Sequence, residues 1–361
     1  MKLLILTALA GAALTGGHAL STKYTTDRAI KYEISSSTMM ETTSMEAERD
    51  GEPQDMPAHG MKMENSNTEV HIDRVMEAAD GKPTKVHRKF EKVAGTSSMT
   101  MGEDERSNDI ESPFTGVTLE LALNKDGEVE ANAIDGKAPE NDKALEGHRL
   151  DSFLDGLLPS GEVEVDATWE LEKPAIVRAL RLDMRKAMFP PPERGEGGGP
   201  GGGGGGGGRR GGGMRGGGAS GMLDDAAWKG TAKLISADKE VDGVHCAIVE
   251  LKLEASGERE MPARGPRRGQ MFGAAAMPFE NKMTYEARVE GTFAFALKEH
   301  RPVKLELKGT LHTDSRIEMS GEEHSMKMHS VQDGKIEYTV EVSEEAVTAE
   351  KTEKKAEKDS K

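Results

Sequence analysis

Seven Asp-Gly dipeptides, at 50, 80, 126, 135, 155, 242 and 333, punctuate the 361-residue chain, and most lie between segments of alternating apolar and polar residues. Asp-Gly suits a two-residue hairpin turn, because both central residues of that turn need positive φ. An alternation of period two sends successive side chains to opposite sides of a strand. Together these features commit the chain to antiparallel hairpins with one buried face. In GVTLELALNKDGEVEANAI, Val117, Leu119, Leu121 and Leu123 share a face, Asp126-Gly127 makes the turn, and Val129 and Ala131 begin the return. Thr118 and Glu120 are left for water. The same period runs through Val163, Val165, Ala167, Trp169 and Leu171, through Val303, Leu305 and Leu307, and through Ile336, Tyr338, Val340 and Val342.

Two stretches depart from it. Over 141–157 the apolar residues Leu145, Phe153, Leu154 and Leu157 recur at nearly helical spacing. Over 174–188, Pro174 suits the first turn of a helix carrying Ile176, Val177, Leu180 and Met184. The expected fold is therefore α+β, mainly antiparallel β: a large curved sheet or open half-barrel with about two short helices on one face. Residues 20–194 read as a first β-rich part and 222–343 as a second, with one shared sheet expected and two separate domains the alternative. Between them, the Gly/Arg-rich tract 195–221 has almost nothing to bury and is expected to be a disordered loop. Residues 264–278 read as another long loop, and the charged segment 344–361 as a disordered tail.

The first 19 residues read as a signal peptide, with Lys2, an apolar run from Leu3 to Leu14, and Gly17 and Ala19 flanking His18 at the cleavage site. The expectation is an exported protein, periplasmic or extracellular. It is not expected to be a lipoprotein, since no cysteine lies near that site, and no later apolar run approaches the roughly 20 residues of a spanning helix. Cys246 is the single cysteine, so disulfides within the chain, Cys-based zinc sites and redox pairs are ruled out. It reads as a small buried hydrophobe. A net charge of −16 opposes binding to nucleic acid or anionic membrane. Arg209, Arg210 and Arg215 in the glycine tract do not reverse this, because no aromatic residue interleaves with them to stack on bases.

Nucleophile elbows, HExxH, CxxC, EF-hand spacing and phosphate-cradling loops outside the glycine tract are all missing, so an enzyme reading would need a type outside these signatures. The sharpest local pattern is a repeated His-x-Met-x-Met, as HGMKM at 59–63 and HSMKM at 324–328. On extended chain His59, Met61 and Met63 share one side, as do His324, Met326 and Met328. A nitrogen with two thioethers suits Cu(I), so copper is the alternative cofactor. Against it, 21 methionines beside 8 phenylalanines mark methionine as filler throughout the chain, and packing into apolar surface is the preferred reading. His71, His87, His245, His312 and His329 are scattered without ligand spacing. Met61 and Met63 are odd-numbered whereas Val70 and Ile72 are even, so a shared buried face requires a bulge or turn around 65–67.

LLPSGEVEVDATWELEKP, with a leucine-proline leading into a valine-rich strand that ends in tryptophan, resembles a group of exported bacterial β-proteins. DGKPTKVHRKFEK and GTFAFALKEHRPVKLELKGTL are similar to strands of the same group. That group resembles the lipoprotein-carrier class of folds, a curved antiparallel sheet partly closed by helices that can shelter an acyl chain. The resemblance implies a non-enzymatic binding or envelope protein with an apolar ligand or an envelope partner, and it carries over no functional residues.

Overall fold

The computed structural model describes residues 17–54, 61–140, 142–189, 219–260, 279–320 and 325–345. Fifteen strands follow one another: β1 (His18–Ala19), β2 (Ala29–Arg49), β3 (Glu52–Gln54), β4 (Met61–Ala79), β5 (Lys82–Met101), β6 (Asp104–Glu111), β7 (Thr118–Leu123), β8 (Val129–Asp135), β9 (Glu162–Val163), β10 (Thr168–Leu171), β11 (Ala227–Val241), β12 (Val244–Glu260), β13 (Phe279–Ala296), β14 (Arg301–Ser320) and β15 (Ser325–Glu345). Three short helices accompany them, α1 (Lys173–Ala179), α2 (Arg185–Met188) and α3 (Ala219–Leu223). The fold is mainly antiparallel β, a large open sheet with helices, as the alternation predicts.

Thirteen strands form one sheet in the order β10-β11-β12-β13-β14-β15-β2-β4-β5-β7-β8, with β3 on β2 and β6 on β5. The chain's two β-rich parts meet where β15 pairs with β2, from Met326 opposite Arg49 to Glu345 opposite Ala29. Three of the Asp-Gly dipeptides, at 50, 80 and 242, are hairpin turns with positive φ at both residues. Asp333-Gly334 is different: it lies in the middle of β15.

Glycines on the inward face let the sheet curl. A Cβ at Gly291 of β13 would collide with the carbonyl oxygen of Glu306 on β14, and one at Gly309 with that of Arg288 on β13. Backbones approach this closely only where side chains are missing, and such kinks bend a sheet around what it encloses. What packs there is the segment 142–189 apart from β10, which is itself a strand of the sheet. Phe153, Leu157 and Ile176 pack with inward residues of β2 and of β11 through β15, such as Tyr32, Trp228, Phe293 and Tyr338. Met184 and Met188 pack with Val86, Phe90, Leu119 and Leu121 of β5 and β7 in a second cluster. Tyr338 donates a hydrogen bond to the Ala179 carbonyl at 2.9 Å, which pins the end of α1 to β15.

Several expectations need correction. The described part of the stretch expected to be helical, 142–157, forms no α-helix but two 3-10 turns, Asp142–Leu145 and Asp155–Leu157, because Gly147 takes φ +80° and stops the first. The alternation from Val163 to Leu171 is cut into β9 and β10 by Asp166, which turns at φ +72° and leaves Val165 44% exposed. Ala219–Gly221, assigned to the glycine loop, begin α3. Residues 1–16, 190–218, 261–278 and 346–361 lie outside the described residues, and with them most of the leader, the glycine tract, the second long loop and most of the tail.

Candidate functional site

β4 inverts the expected polarity. Its register with β2 is unbroken from Lys62 to Arg74, so no bulge intervenes at 65–67. The odd-numbered residues face inward throughout, and Glu69, His71 and Asp73 are buried while Val70 and Ile72 are only half-buried on the outer face. There Val70 stands between Glu33 and Lys92, and Ile72 between Lys31 and Lys89, whose stems shield them.

A buried carboxylate needs a cation, and each finds one from another element. Arg88 of β5 holds Asp73 bidentately, Nε to Oδ1 at 2.7 Å and Nη2 to Oδ2 at 2.6 Å. Arg181 Nη2 donates to Glu69 Oε1 at 2.9 Å. Arg181 follows α1 at φ +57°, and the N–H of Leu182 reaches back to the Val177 carbonyl at 3.0 Å. This is the left-handed position that usually takes glycine after a helix. An arginine there accepts about 1 kcal/mol of backbone strain and gains a guanidinium aimed into the sheet.

Burial by itself would push the Glu69 carboxyl up, but Arg181 and His71 beside it outweigh that and hold it below the usual range. Asp73 is likewise raised by burial and lowered further by Arg88. His71 Nδ1 comes within 2.9 Å of Glu69 Oε1, yet neither ring nitrogen has an aligned hydrogen-bond partner. The ring stacks on Tyr32 at 4.9 Å and tilts against Phe90 and Phe153. The ion network thus occupies the seam between the two apolar clusters. The visible signal for it was three titratable residues at 69, 71 and 73, all on one side of a strand.

Two further titratable groups flank the network, half-buried Asp155 and buried His148. Asp155 accepts from Thr22 Oγ1 at 2.6 Å and from the Tyr24 hydroxyl, which itself accepts the Ser152 N–H at 2.6 Å. Burial raises Asp155 to about 6 against the pull of these donors. His148, packed edge-on against Phe90 and Phe114, has no hydrogen-bond partner for either nitrogen among the described residues. Burial, with Arg88 and Arg181 nearby, lowers it to about 3.

The two groups oppose each other in acid. The unfolded chain protonates its histidine near about 6.5 while folded His148 resists, so this residue withdraws stability as pH falls below that value. Asp155, raised on folding, takes up its proton first in the folded state and adds stability over the same range. Replacing His148 by leucine therefore adds about 1.6 kcal/mol more stability at about pH 5 than at about pH 6.5, relative to the parent protein. Urea unfolding of both proteins at the two pH values measures the difference. A difference that does not change with pH would show that His148 does not titrate with folding.

Next to the network opens a cleft of about 90 Å³ between the sheet and the segment 180–189. Its walls include Ile34, Leu182, Met188, Trp228 and Ile336, and its polar lining includes Asn65, Asn67, Glu69, Arg181 and Arg185. Beyond it the inward face turns to methionine. Met63 stands directly opposite Met40 on β2 and Met99 on β5, and Met61 opposite Met101. Farther along, Met326 faces Met319 across β15 and β14, and Met328 faces Ile317 and Ala47.

Met61 and Met63 thus share a face, as do Met326 and Met328, but on strands that flank β2 on either side. Met63 pairs at position 40 of β2 and Met328 at position 47, a separation of roughly 20 Å along the strand. The structure does not bring the two motifs to one point. His59 and His324 lie outside the described residues. Among the described residues no three His, Cys, Asp or Glu side chains gather to hold a metal. The scattered histidines instead meet single carboxylates, His87 with Glu120, His245 with Asp238, His312 with Asp333 and His329 with Asp314. Cys246 is buried. No helix among the described residues is long and apolar enough to cross a membrane.

No family model matches the chain, and no curated protein does. Among solved structures it is similar to the crystal structure of Pseudomonas aeruginosa OpdQ, at 6% identity over 88% of this chain and 97% of that one. The TM-score is 0.17, too slight a likeness to carry weight.

Proposed function

We propose that this chain is an exported, non-enzymatic binding protein that shelters an apolar ligand against the concave face of its sheet. The observation behind this reading is the run of inward, half-buried methionines, Met61, Met63, Met99, Met326 and Met328, on strands that continue past the helices from the apolar cleft. Methionine is unbranched and polarizable, so a methionine surface adapts to apolar ligands of differing shape. The charged groups nearby favour binding over catalysis, since Glu69, Asp73, Arg88 and Arg181 are tied to one another by ion pairs.

The test is titration with the neutral apolar fluorophore N-phenyl-1-naphthylamine. Saturable binding is expected, weakened by at least about tenfold in Met63→Glu and by less than about threefold in Met63→Leu, which keeps volume and polarity. Met63 is half-buried, so unfolding midpoints should show both variants folded. Absence of saturable binding, or equal affinities for the parent and Met63→Glu, would overturn the reading.

A further inference from the structure

We propose that the sheltered ligand is a fatty carboxylate, with Arg185 and Arg181 on the cleft wall receiving its anionic head and the methionines of β4 and β5 carrying its chain. This rests on the binding reading above and specifies its ligand.

Arg181 and Arg185 both line the cleft, and both guanidinium groups have capacity left over. Arg181 gives Nη2 to Glu69 while its Nε is buried with no hydrogen-bond partner among the described residues. The Arg185 guanidinium makes no ion pair or hydrogen bond among the described residues, although its backbone carbonyl accepts from the Phe189 N–H at 2.8 Å. Asp224, the carboxylate that acts on it, is 3.6 Å from Lys186 instead. Burial lowers the Arg185 pKa, the mark of a cation withdrawn from water without full compensation. Of the acids that line the cleft, Glu69 is already taken by Arg181, and Glu337 is exposed. A cation held in an apolar wall and only partly compensated, by Asp224, favours an anion brought in by the ligand, and a planar guanidinium matches a carboxylate in two parallel hydrogen bonds.

The size of the cleft sets the pose. At about 90 Å³ it is smaller than the roughly 150 Å³ that holds a benzene molecule, so it accommodates a head group and a few methylenes only. The chain must leave along an apolar track. On β4 the inward positions after Glu69 are Asn67 and Asn65, which line the cleft, then Met63 and Met61. Met63 and Met61 stand opposite Met99 and Met101 of β5, so two methionine pairs continue the cleft wall outward.

The experiment compares cis-parinaric acid with its methyl ester, which has the same chain and no charge, on the full protein, Arg185→Gln and Arg185→Lys. The acid should bind the parent protein at least about tenfold more tightly than the ester, Arg185→Gln should lose most of that preference, and Arg185→Lys should keep part of it. Equal affinity for acid and ester in the parent protein, or a preference that survives Arg185→Gln, would overturn the assignment while leaving the apolar-ligand reading standing. Failure of both probes to bind would overturn the binding reading itself. Should Arg185→Gln not fold, the acid-to-ester ratio in the parent protein and in Arg185→Lys decides, and a ratio near one overturns the proposal. A lysophospholipid that displaces the acid as readily as it displaces the ester counts against a carboxylate head.

Discussion

Replacing Arg88 by methionine should destabilise the protein by about 3–5 kcal/mol, because it leaves the Asp73 carboxylate buried with no cation beside it. Both oxygens of Asp73 now accept from this one guanidinium, at 2.7 and 2.6 Å, and the Arg88 side chain is only 3% exposed. Methionine keeps the length and apolar volume, so the loss reports the charge and not a cavity. The double variant Asp73→Leu/Arg88→Met should recover most of the loss, since a buried ion pair exchanged for apolar groups of similar volume is often neutral or stabilising. Guanidinium chloride unfolding of the four proteins completes the cycle. A double variant no more stable than Arg88→Met would show that the network does more than cancel its own burial.

Acid should act through the same groups. The carboxyls of Glu69 and Asp73 are held below their unfolded values, so their contribution is whole above about pH 5 and is lost as pH falls toward the folded pKa.

Gly291→Ala should cost about 3 kcal/mol or more, at the upper end of what overpacking exacts. The new methyl group meets the backbone of β14 at Glu306, and a paired strand cannot swing aside as a side chain can. Gly291 has no positive φ, so the penalty is purely one of contact between strands. Gly81→Ala is the contrast: φ is +75° in the β4–β5 turn and open space surrounds the position, so about 1–2 kcal/mol of backbone strain is the whole effect. Chemical denaturation of both variants compares the two mechanisms. If Gly291→Ala proved the milder, close strand approach would not be what curves the sheet there.

Much of this architecture was legible before any coordinates. Alternation is a local property with period two, so the strands carrying Leu305 or Val340 and the turn at Asp126-Gly127 could be read from neighbouring residues alone. Pro174 marked the start of α1 for the same reason, since its ring presets the backbone of a first helical turn. Local rules misled where a distant contact outweighed them. Asp333-Gly334 looks like a turn, but Gly334 is needed within β15 because Met40 of the adjoining strand fills the space a side chain would take.

The candidate site was legible only as a row of titratable residues on one side of β4, without its partners. Alternation shows that 69, 71 and 73 share one side and 70 and 72 the other, and hydrophobicity favours putting Val70 and Ile72 inside. The opposite holds because Arg88 lies fifteen residues from Asp73 and Arg181 more than a hundred from Glu69, and only the folded sheet closes those gaps. What the sequence by itself determined was periodicity, hence the strands, several turns and the short first helix. Which side of β4 is buried, where the two methionine motifs lie and how the cleft forms were decided by tertiary structure, since the free energy of a buried charge depends on partners that no local pattern encodes.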